Sequence, residues 1–243
     1  MKSSNQQLKS RGYISQSEIE HFSTQSTTEI LTMLQSSNPS QRSIAAKALA
    51  THEDPQTVDM LIEALKKEEK LYSKIALSDA LGTMGETAAV KLVSLLGEIG
   101  SNQYQQLPDK PFLKKNYPLP RDIIARTLIK IGIPALPYLI EVLHQNNPTR
   151  ILEAIDAIGY ISFYSGNPDA ENELLNLLQQ NEDPLVVWKV VRALQAFPGL
   201  KVENTLKKYC QSTNLPQHRW EAERSLNQIN RLKILRKETP NAN

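Results

Sequence analysis

Residues 77–85 read Leu77-Ser78-Asp79-Ala80-Leu81-Gly82-Thr83-Met84-Gly85, and the phrase at their centre, a small residue followed by Leu or Ile, returns along the chain. Its copies are Ala48-Leu49, Ala80-Leu81, Thr127-Leu128, Ala157-Ile158, Ala193-Leu194 and Ser225-Leu226. Three residues before each small residue stands Ala45, Leu77, Ile124, Ala154, Val190 or Ala222. Three residues after each Leu or Ile stands Met84, Ile131, Ile161, Phe197 or Ile229, with His52 in the first copy. A phrase that recurs every few tens of residues marks one supersecondary unit stacked on copies of itself. Such an array contacts only its neighbours and offers an extended surface before it offers a chemical site.

The intervals between the small residues are 32, 47, 30, 36 and 32. The long one, from Ala80 to Thr127, holds an insertion of about fifteen residues relative to the others. Each unit reads as two helices. The first carries apolar residues every three or four positions: Ile30, Leu31 and Leu34; Val58, Leu61, Ile62 and Leu65; Val90, Val93, Leu95 and Leu96; Leu136, Leu139, Ile140 and Leu143; Leu174, Leu175, Leu177 and Leu178; Val202, Leu206 and Tyr209. That is the period of one buried helical face. The second helix carries the phrase, whose small residues let helix axes approach closely. Asn38-Pro39, Asn147-Pro148, Asp183-Pro184 and Leu215-Pro216 stand ahead of second helices, where proline suits the first turn and Asn or Asp can cap it. Gly85, Gly132 and Gly199 fall at helix ends, where a left-handed residue closes the last turn. No segment shows sustained period-two alternation, so essentially no sheet is expected.

The expected fold is all-α: a right-handed solenoid, or superhelix, of about six helical pairs over residues 27–231. Residues 1–26 form a polar N-terminal segment, partly flexible, with a short helix around 14–22, and residues 232–243 a flexible tail. The insertion covers about 97–120, where Pro108, Pro111, Pro118 and Pro120 forbid a regular helix. Tyr104, Leu107, Phe112 and Tyr117 give it apolar residues that pack on something, and both a folded cover and a mobile loop stay open.

Composition excludes several classes. No run of eighteen apolar residues exists, so no helix is expected to span a bilayer and no membrane partner is expected. Met1–Ser10 lacks the apolar core of a secretory signal, and the single Cys210 forms no internal disulfide; a cytoplasmic setting is the simple expectation. With 28 basic and 26 acidic residues, nothing draws the whole chain toward nucleic acid or anionic lipid.

The phrases Ile44-Ala45-Ala46-Lys47-Ala48-Leu49-Ala50, Leu77 to Gly85, Arg126-Thr127-Leu128-Ile129-Lys130-Ile131-Gly132 and Ile155-Asp156-Ala157-Ile158-Gly159 resemble HEAT repeats, in the short variety named for phycobilisome lyases. The resemblance spans about residues 27–231 and is specific for fold. Its members include protein-binding scaffolds, lyase subunits that attach bilins, and DNA glycosylases on a related helical array. The longer third unit departs from the pattern.

In such arrays the second helices line the concave side. With the small residue as position zero, positions 0, −3, −4 and −7 form the buried stripe. Position −5 then holds Ser43, Ile75, Asp122, Leu152, Trp188 and Trp220, and position −1 holds Lys47, Asp79, Arg126, Asp156, Arg192 and Arg224. The last two units each present a Trp with an Arg four residues on, within cation–π reach. Trp188, Arg192, Trp220 and Arg224 are therefore candidate partner anchors, being of the types that dominate hot spots. The bland alternative is that the indoles pack between second helices, shielded by the arginines. Lys114, Lys115, Arg121 and Arg126 form a candidate basic rim that would steer a partner, or simply a solvated charged face.

Signals of catalysis are poor. His21, His52, His144 and His218 lack metal-ligand spacing, Cys210 has no histidine close in sequence, and no glycine-rich phosphate loop is present. A glycosylase needs an acid beside an aromatic pocket, which Asp122, Asp156 and Trp188 supply only on paper. No catalytic residue, metal site or cofactor is assigned. The functional expectation is a non-enzymatic scaffold that binds a protein or peptide partner on its concave face. The alternatives are a lyase or chaperone-like subunit for tetrapyrrole attachment and a nucleic-acid-binding or DNA-repair protein, with nucleic acid not favoured.

Overall fold

The computed structural model of the protein describes residues 4–18, 27–52, 54–100 and 104–238. Two compact units divide the chain, Met1–Ser94 and Leu95–Asn243. The first holds α1 (Asn5–Lys9), α2 (Thr27–Leu34), α3 (Pro39–Leu49), α4 (Pro55–Lys67), α5 (Leu71–Thr83) and α6 (Gly85–Leu92). The second holds α7 (Ile123–Ile131), α8 (Leu136–Val142), α9 (Pro148–Ser165), α10 (Glu171–Gln180), α11 (Pro184–Ala193), α12 (Leu200–Ser212) and α13 (Pro216–Glu238). No strand occurs among the described residues. From α2 to α13 the helices follow one another as the six expected pairs. The third pair is divided, with α6 in the first unit and α7 in the second.

The sequence sets most of the helix starts. Asn38, Asp54, Asn147 and Asp183 each accept hydrogen bonds from backbone N–H groups in the first turn of α3, α4, α9 and α11. Proline follows each cap, where no N–H is missed, and each such cap is worth about 1 kcal/mol. Gly132 closes α7 at φ 78°, a conformation open to glycine. Gly199, expected to do the same, is instead extended at φ −109° and opens α12.

In the first unit, α3 packs on α5, with α2 against α3 and α4 against α5. Ala45, Ala46, Leu61, Leu65, Leu77 and Leu81 are buried in its core. The N-terminal segment lies across these second helices. Ser43 Oγ donates to Gly12 O at 2.6 Å, Tyr72 N–H donates to Arg11 O at 2.9 Å, and Ser40 Oγ donates to Lys9 O at 3.2 Å. Gly12 has φ 87°, and a Cβ there would meet Ser73 Oγ at 2.1 Å. The helix expected around 14–22 falls partly, and His21 wholly, outside the described residues, as do residues 239–243 of the tail.

In the second unit, α9, α11 and α13 pack side by side, with α10 against α11 and α12 against α13. Helix α11 is buried along its whole run Leu185–Ala193, which fits a sequence apolar on all sides but for Lys189 and Arg192. Ser225 Oγ on α13 donates to Val191 O at 3.0 Å, locking the two helices in register. Helix α13 runs on to Glu238, past the boundary expected at 231, and Lys233 pairs with Glu203 on α12.

Candidate functional site

The site lies on α9, α11 and α13, under the insertion. The insertion is tied down at both ends. At its start, Arg150 Nη2 on α9 reaches Glu98 Oε1 at 2.6 Å. At its end, Arg126 Nε on α7 donates to Pro120 O at 2.6 Å. Asp122 caps α7 by accepting from Ala125 N–H at 2.7 Å. Between these ties, residues 104–120 carry no helix, as their prolines require.

Three aromatic side chains fasten the insertion to the second helices. Tyr104 sits edge-on to Trp188, ring centroids 5.6 Å apart. Phe112 lies beneath two guanidinium groups, 5.5 Å from Arg192 and 5.3 Å from Arg224. Tyr117, 3% exposed, contacts the rings of Tyr160 and Phe163 on α9 at 6.1 and 5.7 Å. Among the described residues, its hydroxyl has no hydrogen-bond partner. Burial, and then the charge of Asp156, push the Tyr117 phenol well above its ordinary pKa, so it stays protonated.

Each residue singled out in the sequence has a definite place. Trp188 and Arg192 are each only 2% exposed, and the Arg192 guanidinium stacks 3.8 Å over the indole. Arg192 also donates to Glu221 Oε1 at 3.3 Å. Arg224 turns to Phe112 and to Glu221, which it meets at 2.8 Å through Nε, rather than to Trp220. Trp220 is half-buried on α13. Arg121 is exposed, lies 4.1 Å over Tyr104 and donates to its hydroxyl at 3.2 Å. Lys114 and Lys115 are exposed on the insertion. The structure thus brings Trp188, Arg192 and Arg224 together beneath the insertion, with Lys114 and Lys115 on the insertion itself and Arg121 just past its end. Among the described residues the histidines stay apart: His218 is buried 2.8 Å from Pro184 O, and His144 is exposed beside Glu173.

Beside the aromatic contacts runs a row of buried charges that the sequence reading placed in the apolar stripe. Position −4 holds Glu153, Lys189 and Glu221 on the three neighbouring helices. Lys189 is fully buried and reaches Asp156 Oδ2 at 2.9 Å, Leu152 O at 3.0 Å and Glu153 Oε1 at 3.4 Å. Glu153 and Asp156 share Lys189, and Glu221 meets Arg192 and Arg224. Burial first, then the nearby Asp156 and Asp122, push the pKa of Glu153 up to about 7 against the pull of Lys189. The alternating sign of three charged residues at one core position was the available signal.

A cleft of about 460 Å³ remains between the insertion and α9, bordered by Lys114, Arg121, Asp156, Tyr160, Tyr164 and Arg192. Among the described residues, no group of three His, Cys, Asp or Glu side chains is placed to hold a metal ion.

A family model described as HEAT repeats matches residues 27–104 and 136–227. Among curated proteins, no sequence matches this chain. Solved structures that align with it include the archaeal HEAT-like repeats protein from Thermococcus onnurineus, 17% identical, covering 90% of this chain and 98% of that one with a TM-score of 0.39. Human deoxyhypusine hydroxylase is 15% identical and covers 84% of each chain, TM-score 0.38. A designed armadillo repeat protein in complex with a (KR)4 peptide is 17% identical, covering 93% of this chain and 91% of that one, TM-score 0.34.

Proposed function

We propose that this chain, which belongs to the HEAT-repeat family, is a binding scaffold whose second unit grips irregular polypeptide on the groove of α9, α11 and α13. The observation that carries the reading is the seat of Phe112 between Arg192 and Arg224. That groove floor already holds one irregular segment, the chain's own residues 104–120. It does so with Trp and Arg, the side chains that dominate protein hot spots. Trp188, Arg192 and Arg224 serve as floor anchors, Trp220 extends them along α13, and Lys114, Lys115, Arg121 and Arg126 form the basic rim that a protein or peptide partner meets first. Opposite charge across that rim speeds encounter more than it tightens the complex. A cytoplasmic setting belongs to the same reading, with a single cysteine, Cys210, that forms no internal disulfide.

The test supplies the insertion from outside. Residues 105–119 are replaced by a glycine–serine linker, and a labelled peptide of residues 104–120 is added. The reading expects saturable binding in the micromolar range, weakened about ten-fold when the peptide carries alanine in place of Phe112. A peptide that fails to bind, or that binds equally well without its phenylalanine, contradicts it. If the linker variant loses its helical circular dichroism, Phe112→Ala in the intact chain takes its place. Loosening of the internal segment should then let the added peptide compete, where wild type admits none.

A further inference from the structure

The cleft left between the insertion and α9 is one-sided in charge and walled by aromatic rings. Its volume of about 460 Å³ lies in the lower part of the ligand-cavity range of about 300–1,000 Å³, room for one large side chain rather than an extended cofactor. Tyr160 and Tyr164 form a wall from successive turns of α9, ring centroids 4.6 Å apart. Two apolar groups stand open at its rim, Leu119 at 51% exposure and Tyr164 at 55%.

Of the cations there, Arg192 is paired with Glu221, while Lys114 and Arg121 are unspent. Among the described residues, no carboxylate lies within ion-pair distance of Lys114 or Arg121. The one acid at the cleft, Asp156, is already bonded to Lys189. Arg121 is held in place by its stack on Tyr104, so it need not be ordered on binding. Exposed Lys110 and Lys115 extend the positive side along the same segment, against a single acid, Asp109.

Resting on the reading of this chain as a binding scaffold, we propose that the cleft receives an aromatic side chain from a partner polypeptide whose flanking residues are acidic. The ring packs against Tyr160 and Tyr164, where aromatic pairs gain about 0.5–1.5 kcal/mol beyond area alone. The flanking carboxylates meet Lys114 and Arg121 in charge-assisted hydrogen bonds. A purely anionic guest such as a nucleic-acid backbone would use the cations and leave the rings idle, which separates the two in experiment.

The probe is a fluorescein-labelled heptapeptide, Gly-Asp-Glu-Phe-Glu-Asp-Gly, titrated with the full chain at low salt and read by anisotropy. Saturable binding at about 0.1 mM is expected. Replacing the phenylalanine by alanine, or the acids by their amides, should each weaken it about ten-fold. The exposed charge reversal Lys114→Glu with Arg121→Glu should do the same, and the exposed Tyr164→Ala should weaken it about five-fold. Equal binding of the alanine peptide, showing that charge alone is read, overturns the proposal, as does absence of binding at 2 mM peptide. Either result leaves the scaffold reading standing if the 104–120 peptide still binds the linker variant; if that peptide also fails, the scaffold reading goes too.

Discussion

The hydroxyl of Tyr117 rests directly on Gly159. A Cβ built on Gly159 would lie 1.9 Å from Tyr117 Oη and 2.5 Å from Cζ, so α9 can carry no side chain there while the insertion is seated. The first unit shows the same device in another form, with Gly12 of the N-terminal segment set against Ser73 and Ser43 on its second helices. In both units a segment from outside the repeats lies on the second helices, and the approach is made where one side chain is missing.

The tryptophans separate packing from exposure. Trp188 is buried against Tyr104 and Arg192, so Trp188→Ala should cost about 3–5 kcal/mol in urea denaturation. Trp220 is half-buried, and Trp220→Ala should cost clearly less. Equal losses would contradict the burial of Trp188 beneath the insertion. The contrast also means that lost binding in a Trp188 variant reports on the groove only when helical content and melting temperature are measured beside it.

Among the described residues, Lys189 is the cation that pairs with both Glu153 and Asp156. Lys189→Met leaves two buried carboxylates facing each other and should destabilise by about 3–5 kcal/mol. Adding Glu153→Gln and Asp156→Asn removes the stranded charge and should restore most of the loss, since a buried ion pair seldom outweighs a well-packed neutral substitute. Denaturant midpoints of the single and triple variants decide it; a triple variant no more stable than the single would show that packing, not charge, was lost.

Glu153 predicts a pH dependence. Its pKa is raised in the folded protein from 4.5 to about 7, so the folded state holds a proton that the unfolded state releases. The stabilisation is complete below the unfolded value and is lost as pH rises through about 7. Wild type should therefore lose stability between pH 5 and 8 more steeply than Glu153→Gln, in thermal melts at matched ionic strength. Parallel curves would contradict a raised pKa at Glu153.

How much of this was legible in the sequence follows from distance along the chain. The helices announce themselves through spacing of three and four and through local caps such as Asp183 ahead of Pro184, all within a few residues. Leu185–Ala193 could be read as helix, but its burial on every side depends on an insertion some eighty residues earlier in the chain. Gly159 looked like one more small residue of the repeat phrase, and its meaning appears only with Tyr117 above it. Glu153, Lys189 and Glu221 were hidden by the periodic template itself, which assigns position −4 to the core and does not ask what charge stands there. The Trp188–Arg192 stack was visible because i and i+4 on one helix are neighbours; Phe112 between Arg192 and Arg224 was not, because three separate segments make that contact.

Phe112 gives a kinetic prediction. Phe112→Ala removes the ring beneath both arginines, contacts worth about 0.5–1 kcal/mol each when exposed and more when desolvated. Trypsin cleavage at Lys114 and Lys115 tracks the population of the open insertion and should rise about ten-fold. An unchanged digestion rate would mean that Phe112 does not hold the segment.

The central claim, that residues 104–120 are seated on the groove of the second unit, is tested most directly by a double-mutant cycle between Gly159 and Tyr117. Gly159→Ala alone should destabilise by about 1–3 kcal/mol through overpacking. In a Tyr117→Ala background the same substitution meets only Ala193 Cβ, at 3.0 Å, so most of its cost should disappear, giving a coupling of at least about 1 kcal/mol. Additive effects of the two substitutions would show that the tyrosine does not rest on α9, and the seated insertion would be wrong.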